Sequence, residues 1–224
     1  MKLIGISGTA RSGKDLFATV AQEILKEHGL KSEKYALAYE LKNDLKDLVV
    51  NKTGIDVFTE KTEEKSIIRP LMVAYGDVMR KISGGKYWTR KLEQRIGNSK
   101  ADVVFITDIR YDHYPEDECT WLQYKQAGKL VHITKYSLTP APSKRKVSTS
   151  KPVKVYEMGA NEHELINNPK VKKRADYAFE WKDVSAETQG ELSKNPYIRE
   201  MVNTVLEKFQ LLPKKDIIND FKLK

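Results

Sequence analysis

Residues 8–15 combine glycines and a lysine in a spacing that suits binding of a phosphate chain. They read Gly-Thr-Ala-Arg-Ser-Gly-Lys-Asp, follow the apolar run 3–6 and precede a helical pattern over 16–25. Strand, glycine-rich turn and helix is the order that a phosphate-binding loop requires. Main-chain N–H groups and the helix N-terminus then face the anion, and Lys14 adds a positive charge beside the transferred group. We predict a phosphate loop, the alternative being an ordinary glycine turn with a solvated lysine.

One residue of this loop departs from the usual pattern. The position after the lysine is commonly a Ser or Thr that binds Mg²⁺. Here it is Asp15.

A second candidate group follows the apolar run 103–106, which is typical of a buried strand. The run continues as Thr107, Asp108, Ile109 and Arg110. An acid at this strand end commonly holds Mg²⁺ in phosphate-loop proteins. The alternatives are a carboxylate that caps the next turn, or an Asp–Arg ion pair without a catalytic role.

Absent sequence elements narrow the reaction class. Ile109 stands where a water-activating glutamate would follow Asp108, and the chain contains no Asn-Lys-x-Asp and no Asp-x-x-Gly element. The sequence therefore favours an enzyme that transfers a phosphoryl group to a small acceptor over a motor ATPase or a GTP-dependent switch protein.

A third group lies on the helical pattern 67–82. Arg69 and Arg80 can both reach one shared anion, and a bidentate guanidinium–phosphate contact contributes roughly 1.5–3 kcal/mol. Trp88 either stacks on a base or fills core, and taken alone it favours core. The apolar residues of this pattern predict a stripe that faces the core: Leu71, Val73, Ala74, Val78 and Ile82.

Strands alternating with helices would position these groups. Strand patterns fall at 2–7, 34–37, 102–107, 129–134 and 177–181. Helical patterns fall at 14–28, 40–51, 67–82, 88–96, 115–126 and 196–211. This alternation predicts a three-layer α/β fold with a mainly parallel sheet. Ligands in such sheets bind outside the carboxyl ends of the strands, where both 8–15 and the segment after 106 would lie.

Residues 136–160 lack apolar periodicity and are rich in Pro, Ser, Thr, Lys and Arg. Long irregular segments in compact domains are often functional, and closing lids exclude water from phosphoryl transfer. We predict a small mobile basic lid here, the alternative being a plain surface loop.

Composition sets the broad class. The 224 residues suffice for one α/β domain, and the net charge of +9 favours anionic ligands, namely nucleotides, nucleic acid or a membrane surface. A solvated basic face is the alternative.

No apolar stretch suits a membrane span and no signal-peptide pattern is present. Cys119, the single cysteine, predicts a reducing cytosol and the packing of a small apolar side chain.

These landmarks together resemble the phage-type deoxynucleoside monophosphate kinases, relatives of the adenylate-kinase-like phosphate-loop kinases. The matching motifs occur in the same order as in that family, from residue 1 to about residue 181. It rests on Ser7 to Asp15, Leu37-Ala38 with Leu41-Lys42, Arg69 through Gly76 to Arg80, Tyr87-Trp88, Asp108 to Arg110, Asn161 to Glu164 and Ala175 to Tyr177. The Gly-Lys-Asp ending of the loop is a mark of this family.

The resemblance implies transfer of the γ-phosphoryl group of ATP to a deoxynucleoside 5′-monophosphate, with Mg²⁺. It implies ATP binding by Arg11, Ser12, Gly13, Lys14, Asp15 and Leu16, and acceptor binding by Lys42, Arg69, Gly76, Arg80, Trp88 and Arg110. It further implies catalysis by Lys14, Asp108 and Arg110, a lid with Lys144, Arg145 and Lys146, and Mg²⁺ on Asp15 or Asp108. Leu16 and Phe17 stand where related chains often carry a Thr, which leaves the metal ligand open between these two acids.

The same resemblance implies one domain over 1–224, with an acceptor-binding helical region at 39–98 and the lid at 136–160. It suggests a homodimer in the cytoplasm, that of the host if a phage encodes the chain, acting on small nucleotides without a membrane or direct nucleic-acid role. Two other readings stay open. One is another small-molecule kinase, resembling phosphomevalonate or dephospho-coenzyme A kinases, and the other is a basic nucleic-acid-binding protein with a regulatory ATP site.

Overall fold

The central sheet has five parallel strands and one antiparallel strand. The computed structural model describes residues 1–139, 152–156, 162–185 and 191–213. The strands are β1 (Lys2–Ser7), β2 (Ser32–Tyr35), β3 (Val103–Ile106), β4 (Lys129–Thr139), β5 (Val153–Tyr156) and β6 (Tyr177–Lys182). The parallel strands lie in the order β2, β3, β1, β4, β6. The phosphate-loop segment thus leaves the central strand of the sheet.

The antiparallel strand β5 pairs with the C-terminal end of β4, residues 136–139. His132 of β4 pairs with both β1 and β6, so these two strands lie on opposite edges of β4. Tyr136 pairs with both β5 and β6. Strand β5 therefore lies on the same edge of β4 as β1, beyond the point where β1 ends.

Helices cover both faces of the sheet. They are α1 (Lys14–Glu27), α2 (Leu37–Thr53), α3 (Thr62–Ser83), α4 (Lys86–Ile96), α5 (Glu118–Thr120, continued by a π-helical turn Trp121–Lys125), α6 (Glu162–Arg174) and α7 (Pro196–Lys208). Side chains of a strand alternate between faces, so Val103 and Phe105 pack with α1 and α7, whereas Val104 and Ile106 pack with α4 and the π-helical turn. This arrangement confirms the predicted three-layer α/β fold. None of the described helices combines the length and apolar character that a bilayer span needs.

Helix α6 was not predicted, because its inward-facing residues are mostly polar. Glu164, Asn167 and Val171 are buried at helical spacing, and only the last is apolar. The predicted helix 115–126 is present only as the short α5 and its π-helical turn. Of the predicted lid, β4 and β5 occupy 136–139 and 153–156, while Lys144, Arg145 and Lys146 lie outside the described residues.

The apolar stripe predicted to face the core on α3 was wrong. Leu71, Val78 and Ile82 are 43%, 55% and 72% exposed. The residues that pack inward lie on a neighbouring face of the helix: Ile68, Met72, Tyr75, Gly76 and Met79. Both sets recur at helical spacing, so the sequence alone could not choose between them.

A buried ion pair ties α3 to the loop before α5. The Arg80 guanidinium donates from Nε and Nη2 to the two carboxylate oxygens of Asp117, at 3.1 and 2.6 Å. Asp117 is fully buried and also accepts the backbone N–H groups of His113 and Tyr114 at 2.9 and 3.0 Å. Both partners are therefore satisfied, which is the condition under which a buried pair is tolerated.

We expect Asp117→Asn to lower the free energy of unfolding by about 3 kcal/mol, the lower end of the cost of breaking a buried pair, because it leaves the buried Arg80 guanidinium only its longer pair with Asp77 at 3.3 Å. Urea denaturation measures the change. Glu116→Gln is the matched control, since Glu116 makes only solvent-exposed pairs with Lys86 and Lys125. Equal stability of the two variants would contradict this account of the pair.

Candidate phosphate-binding site and its cleft

The backbone of the loop after β1 requires its two glycines. Gly8 and Gly13 have φ of +140° and +90°. A Cβ on Gly8 would lie 2.3 Å from the carbonyl oxygen of Ile133, and one on Gly13 would lie 2.4 Å from the ring of Trp181. Arg11 also has a positive φ, of 62°. The loop is thus a tight turn packed directly against β4 and β6, as a phosphate cradle requires.

Lys14 stands at the start of α1 with its ammonium group folded back over the loop. Its Nζ donates to the carbonyl oxygens of Gly8 and Thr9 at 2.9 and 2.6 Å. Burial, with the nearby Arg110 charge as a smaller cause, lowers the pKa of Lys14 to about 8. A bound anion would favour the charged form, so this lysine is poised to bind negative charge.

A carboxylate from α6 already contacts the loop. Glu164 Oε2 accepts the backbone N–H of Ala10 at 3.2 Å, and Oε1 accepts from the Arg110 guanidinium at 2.9 Å. The pair holds the Arg110 side chain beside the loop. It also shows that the loop backbone presents an N–H group to an anionic oxygen.

Asp108 lies at the carboxyl end of β3 and binds the start of α2. Its Oδ1 and Oδ2 accept the backbone N–H groups of Leu37 and Ala38, each at 2.7 Å. Burial raises the pKa of the Asp108 carboxyl, while these two N–H groups and the Arg110 charge oppose the rise. The capping alternative raised for this residue is therefore realised, although on the helix that precedes it in sequence.

A cleft of about 510 Å³ joins these groups. Eight of the predicted site residues line it: Asp15, Lys42, Arg69, Gly76, Arg80, Trp88, Asp108 and Arg110. Two of the eight already make contacts within the protein. Arg80 pairs with Asp117, and Trp88, which is only 4% exposed, donates to the Gly76 carbonyl at 3.3 Å. The other predicted residues lie in the loop and the first turn of α1: Arg11, Ser12, Gly13, Lys14 and Leu16.

Sequence reasoning missed four polar residues that line the cleft, namely Lys65, Tyr111, Glu118 and Glu164. Lys65 stands four residues before Arg69 on α3, and this spacing was a signal of a shared face. The buried Glu118 accepts the backbone N–H groups of Arg110 and Tyr111 at 2.6 and 3.1 Å, and burial raises its pKa to about 8. Glu164 belongs to the segment 161–164 on which the resemblance rests, but no role was assigned to it. Glu118 lay in no predicted motif, because its contact with the backbone of Arg110 arises only in the folded chain.

Three cations line the cleft besides the residues of the loop, namely Lys42 of α2 and Lys65 and Arg69 of α3. Lys65 also pairs with the exposed Glu60, whose Oε2 lies 2.7 Å from Lys65 Nζ. Burial, followed by the nearby Lys65 charge, lowers the pKa of Lys42. Like charges held this close favour a bound anion, so the cleft has a second candidate anion site besides the loop.

The described residues form no cluster of three or more His, Cys, Asp or Glu side chains that could hold a metal. Mg²⁺ at phosphate sites is usually held by one or two carboxylates together with substrate phosphates. Asp15, whose side chain is 78% exposed at the cleft and lies 3.5 Å from Lys34 Nζ, fits such a ligand. Asp108 already accepts two N–H bonds, so only its remaining lone pairs could contribute.

No protein-family model and no curated protein matches the chain. Among solved structures, it is similar to the shikimate kinase of Aquifex aeolicus, at 14% identity over 93% of this chain and 96% of that one, with a TM-score of 0.40. The shikimate kinase of Bacteroides thetaiotaomicron gives 13% over 93% and 98%, with 0.38. A sugar kinase from Janibacter gives 12% over 95% and 96%, with 0.40. Likeness at this level carries nothing about function, which must be argued from the site.

We expect the affinity for sulfate, an anion that does not titrate here, to fall as the pH rises above 8. Above that pH the free protein loses the Lys14 proton that a bound anion needs, and the fall approaches tenfold per pH unit. Tryptophan fluorescence reports the binding, since Trp181 Nε1 donates to the Ser12 carbonyl at 2.9 Å and Trp88 lines the cleft.

Lys14→Met is the control for this titration. It keeps Glu118, which titrates in the same range, so the difference in slope between the two proteins belongs to Lys14. Parallel slopes in the two proteins would show that Lys14 does not carry the anion.

Proposed function

We propose that the chain is a phosphotransferase that moves the γ-phosphoryl group of ATP to a deoxynucleoside 5′-monophosphate, giving the diphosphate. The observation that carries this proposal is that one cleft joins two cationic sites. The loop segment reaches the cleft through Ala10 and Asp15, with Lys14 folded over the loop, and Lys42, Lys65 and Arg69 line the same cleft. A reaction between two phosphorylated molecules needs this arrangement, whereas hydrolysis of a single nucleotide does not.

The donor would be held by the loop. The backbone of Arg11, Ser12 and Gly13 and the start of α1 face its phosphates, and Lys14 exchanges its two carbonyl partners for phosphate oxygens. ATP with Mg²⁺ would supply the phosphoryl group and offset its charge, with Asp15 or Asp108 as the proposed metal ligand.

The acceptor would lie between α2 and α3. Lys42, Lys65 and Arg69 bind its phosphate, and an apolar wall offers a surface to a nucleobase: Leu37, Leu41, Val57, Met72 and Val73. This wall, beside a phosphate site, is what favours a nucleotide over a small polar acceptor. Apart from Leu37, the wall lies within the proposed acceptor-binding region 39–98, which is part of one proposed domain over 1–224.

Little acid–base chemistry is required of the protein. The attacking group is an anionic phosphate, so catalysis consists of positioning and of offsetting charge on the transferred group. Arg110 is placed for this purpose, since Glu164 holds its guanidinium and Glu118 holds its backbone. The resemblance noted above adds the deoxynucleoside preference.

The proposal predicts ADP release from ATP that depends on an added deoxynucleoside 5′-monophosphate. A coupled assay across the deoxynucleoside monophosphates, the ribonucleoside monophosphates, shikimate, dephospho-coenzyme A and phosphomevalonate measures it. Deoxynucleosides without the 5′-phosphate are the matched controls, because they lack the group that the three cations bind. Turnover with only a non-nucleotide acceptor, or steeply salt-dependent DNA binding without turnover, would overturn the proposal.

We expect Lys14→Ala to abolish turnover while the fold is retained, because the lysine carries charge at the transferred group and its side chain binds only loop carbonyls. Turnover and thermal unfolding are measured on the same preparation. Lys34→Ala is the control, since Lys34 is a nearby cation that pairs with Asp15 at the cleft edge. Wild-type turnover in the Lys14 variant would remove the loop from the reaction.

A further inference from the structure

A second cavity lies outside the cleft, between α3, the segment 111–114 and α6. Its volume is about 420 Å³, within the range of about 300–1,000 Å³ that is typical of small-molecule sites. Arg80 and Tyr111 line both this cavity and the cleft, so these two side chains form the wall between them. The proposed reaction gives the cavity no role. We call it the outer groove.

The shared wall is held in place by contacts within the protein. The Arg80 guanidinium lies over the Tyr111 ring, 3.4 Å from its centroid, and 5.3 Å from the centroid of Tyr114. Its bidentate pair with the buried Asp117 fixes the guanidinium against both rings. A ligand in the outer groove would therefore meet aromatic surfaces that are already ordered, which lowers the entropic cost of binding.

Apolar side chains enter the outer groove from both helices. Val78 of α3 is 55% exposed and Ile166 of α6 is 61% exposed, and both line the groove. Tyr114 adds an aromatic ring, against which the ring of His113 packs edge-on at 4.8 Å. A concave surface of apolar and aromatic side chains suits a flat ring system.

Two lysines give the outer groove its charge. Lys81 of α3 and Lys170 of α6 both line it, and both are exposed. Neither ammonium group forms an ion pair within the part of the chain that the structure describes. The Arg80 charge is already offset by Asp117 and by Asp77, which is 3.3 Å away. Attraction for an anion therefore depends on the two lysines, and a lysine ammonium group binds phosphate as a point charge.

We propose that the outer groove binds a small aromatic molecule that carries a phosphate group. The ring lies against Val78, Ile166 and Tyr114, and the phosphate pairs with Lys81 and Lys170. The proposal does not depend on the proposed reaction, because none of these five residues lines the cleft.

Equilibrium dialysis with methylumbelliferyl phosphate tests the site. We expect Lys170→Glu to lower the affinity at least fivefold, because it replaces one of the two cations with a charge that repels the phosphate. Lys173→Glu is the matched control, since it makes the same charge change on the same helix at an exposed residue that does not line the groove. Thermal unfolding shows that both variants are folded.

A cleft variant locates the bound probe, because the cleft also carries cations. Lys42→Glu reverses a charge in the cleft and none in the outer groove. We expect it to leave the Lys170-dependent binding unchanged, whether or not the cleft carries out phosphoryl transfer. Binding that is lost in Lys42→Glu and kept in Lys170→Glu would place the probe in the cleft and overturn the proposal.

Two simpler probes test the class of ligand. Methylumbelliferone keeps the ring without the phosphate, and inorganic phosphate lacks the ring. We expect each to bind the Lys170-dependent site at least tenfold more weakly than methylumbelliferyl phosphate. A simpler probe that binds as tightly as methylumbelliferyl phosphate overturns the proposal, and so does a wild-type protein that binds none of the three.

Discussion

The bond between the Asp108 carboxylate and the first two N–H groups of α2 determines the geometry of the cleft. It joins the end of the buried strand β3 to the start of the helix that supplies Leu37, Leu41 and Lys42 to the wall. Each hydrogen bond to a charged group contributes about 1.5–3 kcal/mol. Without these two hydrogen bonds, the buried carboxylate and the two N–H groups at the start of α2 would lose these partners. Leaving a buried charge or a helix-end N–H group without a partner lowers the free energy of unfolding. The position of Lys42 and of the α2 wall relative to β3 therefore depends on one aspartate.

The other charged groups of the site form a chain that leads from Asp108 to the loop. Arg110 stands two residues further along, with its backbone bound by Glu118 and its guanidinium bound by Glu164. Glu164 in turn binds the loop at Ala10. Each carboxylate thus fixes a backbone segment as well as facing a cation. An anion that reaches the loop would compete with Glu164 for the N–H of Ala10, so binding at the loop and the position of α6 are linked.

Sequence reasoning succeeded where a local pattern carries the whole signal. The strand β1, the glycines that must adopt positive φ and the helix α1 are contiguous, and they were predicted together. The alternation of apolar strands with helices likewise gave the layers, because a strand buried on both faces has few alternatives. Arg69 was predicted from its position on a helical pattern and Lys42 through a family resemblance, and the structure places both in one cleft with the loop residue Asp15.

The failures share a different physical cause. Helix α6 turns Glu164 and Asn167 inward, so it lacks the apolar period by which helices are found. Because Glu164 is polar and faces inward, it can contact the loop and Arg110, and the same property hides the helix from a search for apolar periodicity. Arg80 shows the opposite kind of failure, in which a local pattern predicts a ligand contact that the fold uses otherwise. Its spacing predicted binding of an anion, whereas in the structure its guanidinium pairs with Asp117. No local sequence pattern predicts this partner, because Asp117 lies 37 residues further along the chain.

Helix α3 explains why its own orientation could not be deduced. One face carries Ile68, Met72, Tyr75 and Met79, and the adjacent face carries Ile67, Leu71, Val78 and Ile82. A helix that buries a single face in a monomer needs only one such stripe. Because both rows are apolar and recur at helical spacing, the sequence pattern does not say which of them faces the core. The choice is made by tertiary contacts, chiefly those with Leu45, Val49 and Val57, which lie far from α3 along the chain.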